Sequence, residues 1–100
     1  MIRHLVFMRF KKTVSEKDIK NLENDLSSLP AAIPGIESYE FGRNVSGSPH
    51  AFDFALVSTF SDQASLAHYQ THPAHMAVIE KTSQFCTDVA VVDYPVGDNG

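Results

Sequence analysis

Residues 2–10, Ile2-Arg3-His4-Leu5-Val6-Phe7-Met8-Arg9-Phe10, read as a β-strand with two substantially apolar faces. With a side-chain period of two, Ile2, His4, Val6, Met8 and Phe10 share one face, and Arg3, Leu5, Phe7 and Arg9 share the other. A strand covered on one side only carries a polar second face, so this pattern predicts a layer on each side. One layer is helical. The other is a second copy of the chain.

Downstream, Ser15 followed by Asp18 forms a helix start. Ile19, Leu22, Leu26 and Leu29 follow at steps of three and four, a single apolar stripe. Pro30 is expected to end or bend that helix, with Ala31-Ala32-Ile33-Pro34-Gly35-Ile36 as its exit and turn. Glu37 to Asn44 predicts a second strand at a sheet edge, Ser46-Gly47-Ser48-Pro49 a loop, and Phe52 to Phe60 a third strand carrying Phe54, Leu56, Ser58 and Phe60 on one face. Ser61 is expected to cap a helix running through Leu66 and Tyr69 to His72. Pro73 opens another, with Met76, Ile79 and Phe85 as its core face. The last strand, Asp88 to Val96, sets Val89, Val91 and Asp93 against Ala90, Val92 and Tyr94. The tail Gly97-Asp98-Asn99-Gly100 is expected to fray.

Strand, helix, two strands, helix pair, strand is the split βαβ order. It predicts an α+β, ferredoxin-like fold: a four-stranded antiparallel sheet with helices on one face, in a single domain over residues 1–100. Packing the bare face against its twin makes a dimeric α/β barrel and buries Leu5, Phe7, Val57 and Val92. A chain this short cannot cover both sheet faces alone.

Composition narrows the function classes. Hydrophobic residues make up 43% of the chain and charged ones 20%, which is globular and not disordered. The net charge of −4 comes without a lysine and arginine run, so no nucleic-acid partner is predicted. No apolar stretch approaches the roughly 20 residues of a spanning helix, and the N-terminus enters a strand pattern without a signal segment; no membrane partner is predicted. The single cysteine, Cys86, allows no intrachain disulfide and points to the cytoplasm; without flanking positive charges it reads as core.

The chemistry-bearing residues converge on one place. His4 and Asp93 lie on the helix-facing sides of the first and last strands, which neighbour each other in this fold, and a helix starting at Pro73 carries His75 over them. Asp93, accepting from one imidazole nitrogen, would orient His75 and leave the other nitrogen as a base. Tyr69 would donate to a carbonyl or enolate oxygen. Each residue also has a plain structural role: His75 with Asp93 as a mutually satisfied pair, His72 as the start of the helix at Pro73, His4 and Tyr69 as core residues. His50, His68, His72 and His75 lack the spacing of a closed metal set, and no cofactor is predicted.

Four segments in order, Ile2-Arg3-His4-Leu5-Val6, Leu56-Val57-Ser58-Thr59-Phe60, Tyr69-Gln70-Thr71-His72-Pro73-Ala74-His75 and Val91-Val92-Asp93-Tyr94, resemble the stress-responsive dimeric α/β barrel family over nearly the whole chain. The Tyr-x-x-His-Pro-x-His run is the most specific of them. A plant member of that family closes a linear polyketide by an intramolecular aldol condensation with no metal in the reaction. The resemblance implies catalytic positions at Tyr69 and His75 and supporting ones at His4 and Asp93. A ligand between sheet and helices would then meet Val6, Met8, Leu26, Leu56, His72, Ile79 and Val91. Glu23, Leu26 and Cys86 stand where the plant enzyme's pocket is aromatic, which implies a smaller or filled cavity. Some members hold a divalent cation on backbone carbonyls after the first helix, which would fall on Pro30, Ile33 and Ile36.

The leading expectation is a homodimer that binds a small, mostly apolar carbonyl or aromatic compound, with polyketide-cyclase-like acid/base chemistry at His75 and Tyr69. The alternatives are a non-catalytic, stress-related structural assembly and a cofactor-free monooxygenase. A cavity of roughly a few hundred Å³ beside His75 separates the first from the second.

Overall fold

The computed structural model describes residues 1–97, and the expected fraying of the tail falls largely on residues 98–100, outside that range. Chain order is β1 (Ile2–Phe10), α1 (Glu16–Ala32), β2 (Ile36–Arg43), β3 (Phe54–Phe60), α2 (Gln63–Thr71), α3 (Pro73–Phe85) and β4 (Cys86–Pro95). The strands form one antiparallel sheet in the order β2-β3-β1-β4. This is the ferredoxin-like arrangement, with the helices packed on one face.

Local signals explain the helix starts. Ser15 Oγ accepts from the Asp18 N–H at 3.1 Å, and Asp18 Oδ2 accepts from the Ser15 N–H at 3.0 Å, a reciprocal cap on α1. His72 does the same work for α3, its Nδ1 accepting from the Ala74 N–H at 3.1 Å, while Pro73 fills the first helical position without wasting a donor. Gly35 turns the chain from α1 into β2 at φ 92, a left-handed conformation. A Cβ there would lie 2.7 Å from Ser65 Cβ, so the turn is pressed against the start of α2.

The core lies between sheet and helices. Leu22, Leu26 and Leu29 of α1 meet Phe54, Leu56 and Phe60 of β3 and the even-numbered residues of β1, with Tyr69 of α2 completely buried among them. On the opposite face Leu5, Phe7 and Val57 are only half-buried, and Val92 and Tyr94 are exposed. Arg9 lies over the Phe52 ring at 4.3 Å. Among the described residues, no helix is long and apolar enough to cross a membrane, which says nothing about strands.

Several elements differ from the sequence pattern. Pro30 lies inside α1, which runs on to Ala32; so near the C-terminus a missing N–H removes a single helical bond. Ile33 then caps the helix and Ile36 opens β2. The cap of α2 is Asp62, not Ser61: its Oδ1 accepts from the Ser65 N–H at 2.7 Å, while the Ser61 hydroxyl donates to Glu37. α3 buries Val78 and Thr82 and leaves Met76 and Ile79 largely exposed. β4 begins at Cys86 with no loop after α3, and β3 begins at Phe54, two residues later than the pattern suggests.

Candidate functional site

A cavity of about 480 Å³ opens between the sheet and the helices. Its floor is His4, Val6 and Met8 of β1, Leu56 of β3, and Val89 and Val91 of β4. Leu26 of α1, Tyr69 and Gln70 of α2, and Val78, Ile79, Thr82 and Ser83 of α3 form the walls, with His75 at the N-terminal end of α3. The volume lies within the range of small-molecule sites, with His4, Gln70 and His75 supplying polar groups near the start of α3 and Thr82 and Ser83 further along it. Every ligand-contact candidate from the sequence lines this space except His72, which is occupied as the α3 cap and has its ring 5.6 Å from that of His68. Gln70, Val78, Thr82, Ser83 and Val89 also line it and carried no signal beyond their periodicity.

Asp93 pairs with His4, not with His75. The two residues are direct cross-strand neighbours in the β1–β4 ladder, and His4 Nδ1 donates to Asp93 Oδ1. Opposite positions in an antiparallel pair hold their Cβ atoms about 4.5–5.5 Å apart, so the carboxylate reaches the neighbouring strand before anything on a helix. His4 is 5% exposed and the Asp93 side chain 35%, so the carboxylate keeps contact with solvent beyond the strand edge. Because a carboxylate only accepts, His4 carries its proton on Nδ1 and turns Nε2 outward.

His75 is held differently. Its Nδ1 lies 3.2 Å from the Gln70 carbonyl oxygen, which can only accept, so Nδ1 carries the proton and Nε2 keeps its lone pair in the neutral ring. Burial lowers the His75 pKa below its ordinary 6.5; the Gln70 bond opposes this, and His4 and His72 reinforce it. The ring is thus neutral at pH 7. Neither ring's Nε2 bonds to another described residue, and no described buried side-chain nitrogen or oxygen lacks a partner, so both nitrogens face open space.

The His75 ring lies against Tyr69, with centroids 4.1 Å apart and planes 34° apart. Tyr69 bounds the cavity but is fully covered, and its hydroxyl sits 2.9 Å from that of Tyr39 on β2. Burial raises the pKa of both phenols, most for Tyr39, which is further raised by Tyr69; for Tyr69 the bond to Tyr39 offsets part of the rise. Tyr39 was legible only as a residue of an edge strand. Its register opposite buried Ser58 puts it on the helix side.

The sequence pattern of the family described as the stress-responsive A/B barrel domain matches residues 2–96. The chain belongs to that family. An uncharacterised protein from Streptomyces coelicolor is 33% identical over 96 residues, which cover 94% of this chain and 98% of that one. The olivetolic acid cyclase of Cannabis sativa is 21% identical over 95 residues, covering 93% and 94%. Among solved structures, a dimeric ferredoxin-like protein of unknown function from Thermobifida fusca superposes with a TM-score of 0.88 at 30% identity, covering 95% of this chain and 90% of that one. The hydroxynitrile lyase from Passiflora edulis gives a TM-score of 0.87 at 23% identity, covering 97% and 94%, a likeness of fold.

In this A/B barrel chain the three positions expected to narrow or fill the cavity have different roles. Leu26 lines the cavity, Glu23 bonds with Arg43 at 2.8 Å, and Cys86 caps α3. The space is therefore not filled. Half-burial, with a further contribution from Asp53, raises the Cys86 thiol pKa, while Lys11 opposes the rise.

Proposed function

We propose that the chain works as a homodimer that binds a small, mostly apolar carbonyl compound in the cavity and moves protons on it. His75 is the base. The observation that carries this reading is its ring, which lines an apolar cavity with its tautomer fixed by the Gln70 carbonyl, its pKa lowered by burial and its Nε2 unbonded to any described residue. Tyr69, which bounds the cavity, donates to the ligand oxygen, and His4, steadied by Asp93, offers a second nitrogen to the same space. Two similar proteins are named as enzymes of small oxygenated compounds, an olivetolic acid cyclase and, by likeness of fold, a hydroxynitrile lyase, and this supports a small-molecule reading.

The dimer is supported by the apolar bare face and by the Thermobifida fusca neighbour, which is described as dimeric. A second reading, an assembly without catalysis, draws support from the complete burial of Tyr69 and its bond to Tyr39. Exchange of the α-protons of phenylacetone into D2O, followed by proton NMR, separates the two. Base chemistry predicts exchange above the buffer rate that is lost in His75→Ala, and an assembly predicts the buffer rate for both proteins.

A further inference from the structure

The Tyr39 and Tyr69 hydroxyls lie 2.9 Å apart, and neither makes another hydrogen bond with a described residue. Two hydroxyls bring two protons, and the bond between them uses one. The second has no acceptor among the described residues. Phenol O–H groups lie close to the plane of their ring, with one in-plane site on either side of the C–O bond. If Tyr39 donates, the Tyr69 proton is held on the side away from Tyr39. If Tyr69 donates, the spare proton belongs to Tyr39, which is half-buried on an edge strand and within reach of water.

We infer that Tyr39 is a positioning residue for the Tyr69 hydroxyl: it donates to Tyr69 when an anionic oxygen enters the cavity, and so commits the Tyr69 proton to that oxygen. The inference rests on the proposed role of Tyr69 as oxygen donor. A hydroxyl that accepts one hydrogen bond donates a stronger one, so the pair stabilises a developing oxyanion better than Tyr69 alone. No proton leaves the pair; both hydroxyl protons turn together. The geometry suits this, because Tyr39 stands on the sheet and Tyr69 on α2, and their rings meet near edge-on, 6.3 Å between centroids.

The experiment measures binding of 4-nitrophenolate, with 4-nitrotoluene as the same shape lacking the oxygen, to wild type, Tyr39→Phe and Tyr69→Phe. Near-UV circular dichroism confirms that each variant keeps its packed aromatic core. The expected result is that Tyr39→Phe weakens the phenolate about tenfold and leaves the nitrotoluene unchanged, the loss of the support that the hydroxyl-to-hydroxyl bond gives to the Tyr69 donor. Tyr69→Phe should abolish the preference for the phenolate. If Tyr69→Phe does so and Tyr39→Phe binds like wild type, the positioning role is overturned and the donor role of Tyr69 survives. If Tyr69→Phe binds the phenolate like wild type, or wild type shows no preference for it over the nitrotoluene, the donor role fails and the inference fails with it.

Discussion

His4 and Asp93 face each other across the β1–β4 ladder, and the Nδ1 proton of the one is held by the carboxylate of the other. The histidine is buried and the carboxylate is not, so the bond fixes a ring on the cavity floor from outside the cavity. Asp93→Ala removes the only acceptor among the described residues for a buried N–H and should lower stability by about 1–3 kcal/mol in urea unfolding. Asp93→Asn keeps an acceptor oxygen and should lose clearly less. Equal losses for the two would show that the hydrogen bond does not hold the ring.

Burial lowers the pKa of His75 in the folded chain, so between 6.5 and that lower value the unfolded chain binds the extra proton. His75 therefore contributes no penalty above pH 6.5, and its effect on stability grows unfavourable as the pH falls through that window. His75→Gln should flatten this part of the stability profile. Base-catalysed exchange in the wild type should already be at its plateau at pH 7 and fall below pH 6.5; a profile still rising above pH 7 would mean that another group is the base.

Phe7 sits at the middle of the bare sheet face, half-buried, with its ring centroid 6.2 Å from that of Phe52. Phe7→Asp places a carboxylate where a second sheet would pack, at a cost of several kcal/mol, roughly that of an unpaired buried charge. Wild type should sediment at twice the 11.0 kDa of the chain, and the variant at the chain mass or unfolded. A wild type that sediments only at 11.0 kDa in the micromolar range removes the dimer.

Gly35→Ala combines a left-handed backbone with a contact of 2.7 Å to Ser65 Cβ. The loss should exceed the ~1 kcal/mol gain that glycine replacement brings at a permissive site. Gly42→Ala provides the control, since nothing lies within 4 Å of a Cβ there. A thermal midpoint unchanged in Gly35→Ala would show that the turn relaxes without strain.

The fold was legible because its signals are local. Alternation over residues 2–10, the Ser15 and Asp18 pair and the His72-Pro73 start each fix an element without help from elsewhere. The cavity was legible in outline, since faces of strands follow from periodicity. Which polar group meets which was not. Asp93 was expected on a helix residue, and a directly opposing strand residue took it; that competition is settled by register, which depends on the whole sheet. Tyr39 was missed for the same reason, because the side that an edge strand turns to the helices follows from its pairing with β3. The face of α3 depends on how its axis crosses the sheet, so Val78 and Thr82 displaced Met76 and Ile79 from the core.

β1 is hydrogen-bonded on both sides and spends alternate residues on two unrelated surfaces. A single-residue insertion or deletion near its start would slide the remainder by one position and exchange those surfaces. Arg3 and Arg9 would be carried beneath the helices, and His4, Val6 and Met8 would be turned out to the bare face. Substitution at any one of these nine positions alters one surface, whereas a change of length in the strand erases both together. The segment should therefore tolerate variation in residue type far better than variation in residue number.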